Sequence, residues 1–148
     1  MLPTLESSKT ADRNAALAAK QAADGASLEA YARFAERSKA RIRGLEKQAR
    51  DAGIKVKTGK FPFAGNSKAS IIGHHEGFVK VVAEEKYGEI LGVHAIGPLA
   101  TEIIAEPVAA IGLEATLDDM FATIHAHPTL WEAMGDAFNA VRGLSINA

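Results

Sequence analysis

The stretch that decides the fold is G77-FVKVVAEEKYGEILGVHAI-G97. Two apolar, β-branched runs, 77–85 and 89–97, are separated by Lys86-Tyr87-Gly88, a turn-forming triplet. That arrangement is the sequence signature of a β-hairpin. Working backwards, IKVKT at 54–58 alternates apolar and polar residues and reads as a further strand, and FPFAGNSKASII at 61–72 reads as a loop marked by Pro62 and Gly65-Asn66 that leads into a strand near 68–72. A sheet of three or four of these strands, up to five at most, is expected.

On either side of this sheet the spacing becomes helical. From Lys9 to about Asp51 the chain is rich in Ala, Lys, Arg, Glu and Gln and is broken at Asp24-Gly25, which reads as two helices. In the second, Ser27 is a plausible N-cap, and Leu28, Tyr31, Ala35, Ser38, Ile42, Leu45 and Ala49 form a thin apolar seam. Downstream, Leu99, Ile103, Ile104, Val108 and Ile111 predict a helix over 99–113, with Pro107 expected to kink or shorten it. Thr116 and Asp119 are spaced as a capping box for the next helix. Leu130, Ala133, Met134, Ala137, Phe138 and Val141 follow i, i+3, i+4, i+7 and predict the last. Helices, then strands, then helices give an α+β fold: an antiparallel sheet covered by helices and preceded by an N-terminal helical extension.

Composition narrows the function. With 148 residues, 47% apolar and 24% charged, the chain suits one ordinary domain with an appendage. The absence of cysteine excludes disulfides, thiolate nucleophiles and Cys-based metal ligation on this chain. No window approaches the roughly 18 consecutive apolar residues of a membrane span. The start MLPTLESSKTADRN has neither the basic nor the apolar part of a secretion signal, so a cytoplasmic location is expected. Charge is divided: residues 1–60 carry 13 Lys/Arg and seven Asp/Glu, leaving four and 11 for residues 61–148. The basic run from Arg33 to Arg50 is interspersed with Glu36 and Glu46 and offers few aromatics for stacking, so a solvated helix face is expected rather than a nucleic-acid site. No glycine-rich fingerprint for a dinucleotide or nucleoside triphosphate occurs.

The chemistry concentrates in HAHPTLWE, 125–132. One reading is structural: Thr129 and Glu132 have capping-box spacing, and Pro128 keeps His127 out of the helix. A second is catalytic: His127 exchanges a proton near neutral pH while Glu132 fixes its ring. A third pairs His125 with His127 as metal ligands, but no third ligand stands at a recognisable interval, and His74 and His75 would diverge. Spacing alone leaves these readings open.

Four stretches carry a resemblance that spacing does not: GLEKQARDAGIKVKTGKFPF at 44–63, EGFVKVVAEEKYGEILGVHAIGP at 76–98, TEIIAEPVAAI at 101–111 and HAHPTLWEAM at 125–134. In this order they resemble the C-terminal dimerisation domain of the pyridine nucleotide–disulfide oxidoreductases, most closely those of dihydrolipoyl dehydrogenase type. The resemblance implies a division into a 1–43 extension and a 44–148 dimerisation domain. It implies that His127 is the acid–base group offered to a partner's dithiol, oriented by Glu132. It also implies a homodimer or a flavoprotein partner bearing the redox cysteines, with FAD and NAD held by domains not found in this sequence. The module is thus expected to be an incomplete oxidoreductase, free-standing, truncated or re-fused. The alternative is a non-catalytic dimerisation scaffold or relic. Trp131 stands where the family commonly has a small or polar residue, and Pro107 where a helix former is expected.

Overall fold

The computed structural model describes residues 44–146. The expected helices before residue 44 lie outside the described residues. The chain runs through a helix at 44–51 (α1), β1 (Val56–Pro62), a 3-10 turn (Phe63–Gly65), α2 (Ser67–Ile72), β2 (Phe78–Glu84) and β3 (Ile90–Ile96). It continues through α3 (Ala100–Ile103), α4 (Ala105–Gly112), α5 (Leu117–Ala122) and α6 (Glu132–Val141). The three strands form one antiparallel sheet in the order β1-β2-β3, with the expected β2–β3 hairpin in place and a register shift at Val82/Ala83. The architecture is α+β, as the hairpin and helix spacing predict.

Strand periodicity sorts the sheet into two faces. Phe61, Val79 and Val81 point into the main core with Phe63, Ile90, Met134 and Phe138, and α6 lies against β1 and β2 on that side. All six positions of the helical stripe, Leu130, Ala133, Met134, Ala137, Phe138 and Val141, are buried. On the other face Leu45 of α1 lies over Gly92, next to buried Val82, while Glu46 forms an ion pair with Lys80. The same helix pairs Lys47 with Asp51 at 2.6 Å and Arg50 with Glu46 at 3.8 Å, so the described end of the basic run is internally neutralised.

Three local expectations are corrected. Residues 67–72 form α2, not a strand: Asn66 Oδ1 accepts the Ala69 N–H at 2.9 Å, and Gly73 closes the other end at φ 73°. Capping at both ends overrides the β preference of Ile71 and Ile72, which lie toward solvent. The 99–113 segment is not one helix kinked at Pro107 but two, divided at Ile104. Pro107 thereby falls in the first turn of α4, where its missing N–H has no intrahelical partner to lose. Third, Thr129 does not cap α6, whose N-cap position is Trp131 and makes no side-chain cap bond. By contrast Thr116 and Asp119 form the expected reciprocal capping box at α5.

Candidate functional site

The segment 123–131 connects α5 to α6 without regular structure, and its His127–Pro128 peptide is cis. His127 and Glu132, five residues apart, meet directly: Nδ1 of the ring lies 2.7 Å from Oε1 of the carboxylate. The other carboxylate oxygen, Oε2, accepts the Thr129 N–H at 2.8 Å. The capping and catalytic readings of Glu132 therefore coexist, one on each oxygen. The Thr129 hydroxyl instead donates to the Ala126 carbonyl at 3.0 Å and tightens the segment on itself.

This geometry has an electrostatic consequence. Partial burial acts to raise the Glu132 pKa, but the Thr129 N–H and the His127 ring together outweigh it and hold the carboxyl below its ordinary value. An ionised carboxylate only accepts hydrogen bonds, so a neutral His127 donates from Nδ1–H and carries its lone pair on Nε2. Nε2 has no hydrogen-bond partner among the described residues, and the His127 side chain is 72% exposed against 31% for Glu132. A ring fixed at one nitrogen and open at the other suits it to take a proton from a group brought to the surface.

Asn66 was not singled out by sequence and proves to support this site. Buried at the start of α2, it uses its carbonyl oxygen to cap that helix and donates from Nδ2 to the Thr129 carbonyl at 3.1 Å. An Asn followed by the helix-compatible Ser67-Lys68-Ala69 was the N-cap signal available in the letters. Asn66, Ser67, His127, Glu132 and Asp136 line a cavity of about 130 Å³.

His125 does not join His127. Its Nε2 contacts Glu106 of α4 at 2.8 Å, its Nδ1 faces the Thr123 carbonyl at 3.1 Å, and its ring stacks on Trp131 with centroids 3.2 Å apart. Among the described residues no group of three or more His, Cys, Asp or Glu side chains is arranged to hold a metal ion. His74 pairs at the surface with Glu76 at 3.8 Å. No helix of the described residues is long and apolar enough to cross a membrane.

Fold and sequence together define the class. Residues 43–138 match the pyridine nucleotide-disulphide oxidoreductase dimerisation domain, and the chain belongs to that family. Within it, the similarity is to dihydrolipoyl dehydrogenases: 44% identity over 102 residues to that of Mycobacterium leprae and 47% over 102 residues to that of Bacillus subtilis, in each case 69% of this chain and 22% of the relative. The chain thus spans about a fifth of the length of these relatives. The fold is shared with the flavoprotein disulfide reductase RclA of Escherichia coli, at TM-score 0.59 and 22% identity over 64% of this chain and 22% of that one. LpdA of Mycobacterium tuberculosis gives TM-score 0.58 at 21% identity, covering 64% of this chain and 20% of that chain.

Proposed function

We propose that this domain forms the two-fold interface of a dihydrolipoyl dehydrogenase-like oxidoreductase, and that His127 with Glu132 is the acid–base pair it offers to a dithiol site on a partner. The carrying observation is the division of labour on Glu132, which anchors the backbone through one oxygen and orients His127 through the other. In this reading Nε2 of His127 takes the proton of a thiol as it becomes a thiolate, and Glu132 stabilises the resulting imidazolium. The same nitrogen then returns the proton. The chain has no cysteine of its own, so the dithiol comes from the partner. FAD and NAD, whose chemistry would accept the electrons, would likewise be held outside this domain.

Residues 1–43 are assigned as a separate extension and 44–148 as the dimerisation module. Leu99, Val108 and Leu113 leave apolar side chains exposed around α3 and α4, surface that a second copy of the chain would cover.

Nitrogen-15 NMR of the histidine side chains tests the pair directly. Wild-type His127, when neutral, should show an N–H at Nδ1 and a bare Nε2, and Glu132→Gln should abolish that preference. An unchanged tautomer in the variant refutes the pairing. The purified chain should be colourless and should not oxidise dihydrolipoamide with NAD; flavin absorbance with turnover would overturn the assignment of those sites to a partner.

A further inference from the structure

The His125 ring has acceptors at both nitrogens. The Thr123 carbonyl oxygen faces Nδ1 and the Glu106 carboxylate faces Nε2. A neutral imidazole carries one N–H and can donate to only one of them, whereas an imidazolium donates to both. Its flat face is covered by the Trp131 indole at an interplanar angle of 11°, an arrangement that favours a cation over the ring. With 18% of its side chain exposed, His125 is far more enclosed than His127. Glu106 in turn sits in the first turn of α4, which fixes where its carboxylate stands.

These contacts grip the segment at both ends. His125 lies two residues before His127, and Trp131 lies one residue before Glu132. Gly135 makes room for the indole one helical turn on, since a Cβ there would stand 3.1 Å from the six-membered ring.

We propose that Glu106 is a positioning residue for the His127–Glu132 pair: through His125, which faces an acceptor at each ring nitrogen and stacks on Trp131, it ties the 125–132 segment to α4 and fixes the separation of His127 from Glu132. The inference rests on reading His127 and Glu132 as the acid–base pair. Glu132 and Arg142 border the same depression as His125 and Trp131, so the charges around the ring are Glu106, Glu132 and Arg142.

The test compares the full chain with E106Q, H125Q and E132Q, each first checked for native circular dichroism. Trp131 is the only tryptophan, so its emission reads the stack, which the His125 ring in contact quenches. Glutamine at 106 retains size and hydrogen-bonding capacity but removes the charge, so a merely structural Glu106 would be rescued by it. The expected result is brighter Trp131 emission in E106Q and H125Q, with Thr129 amide exchange accelerated about fivefold, the equivalent of about 1 kcal/mol. His127 should also lose part of its Nδ1–H preference in both variants. In E132Q that preference should vanish while Trp131 emission stays at the wild-type level. Brighter emission in E106Q with an unchanged His127 spectrum would overturn the positioning role while leaving the pair intact. Wild-type His127 without any tautomer preference would remove the pair, and the proposal with it.

Discussion

Replacing Gly59 by alanine puts a methyl group where two backbone atoms of α6 already stand. The new Cβ would lie 2.2 Å from the Ala137 carbonyl oxygen and 2.5 Å from the Val141 nitrogen, against 3.4 Å or more in ordinary contact. Neither atom belongs to a side chain that can rotate away. The helix must therefore retreat from β1 by about 1.2 Å, the difference between 3.4 and 2.2 Å, and Ala133, Met134, Ala137, Phe138 and Val141 are lifted with it. Overpacking of a core costs up to about 3 kcal/mol in ordinary cases, and this contact belongs at that upper end because the clash is with backbone. For a domain of this size each kcal/mol is worth about 4–8 °C, so the midpoint should fall by about 12–24 °C. Thermal and urea unfolding followed by circular dichroism at matched protein concentration measure it. Gly112→Ala is the control: nothing lies within 4 Å of its Cβ, so the lost backbone freedom of the unfolded chain should make it neutral or up to about 1 kcal/mol stabilising. If G59A unfolds within about 4 °C of wild type, less than 1 kcal/mol, the close seating of α6 on β1 is wrong.

Thr116→Ala removes the side-chain half of the α5 capping box and should cost about 1 kcal/mol, read as a lower urea midpoint at unchanged slope. Acid stability should depend on Glu132. Its folded pKa lies below the ordinary value of 4.5, so the native state binds its proton less readily than the unfolded chain. Its contribution is then fully present above about pH 4.5 and is lost as the pH falls through the lower folded value. The stability difference between wild type and E132Q should shrink on acidification towards about pH 3, and a gap that widened instead would contradict the bonds from Thr129 and His127.

Much of this was legible where periodicity was strong. The 77–97 hairpin needs only alternation and a turn, and the 130–141 stripe needs only 3.6-residue spacing, so local pattern and tertiary burial ask for the same residues. The 68–72 segment failed for the opposite reason: its two isoleucines favour a strand locally, but Asn66 and Gly73 close a helix around it. Pro107 likewise marked an interruption correctly and misplaced it, because the break that relieves proline occurs three residues earlier, at Ile104.

At the site, the letters named His127 and Glu132, kept His127 outside the helix and left open whether Glu132 was a cap or a partner. Sequence alone determined the class of fold, the candidacy of His127 and Glu132 and the lack of any thiol on this chain, because composition and short-range spacing are properties of the string. Only the tertiary structure decided that each oxygen of Glu132 serves one role, that Asn66 supports Thr129 from 63 residues away, and that His125 turns towards Glu106 instead of His127. These are contacts across loops and between distant elements, whose distances are set by the packing of α2, α4 and α6 and not by the order of residues along the chain.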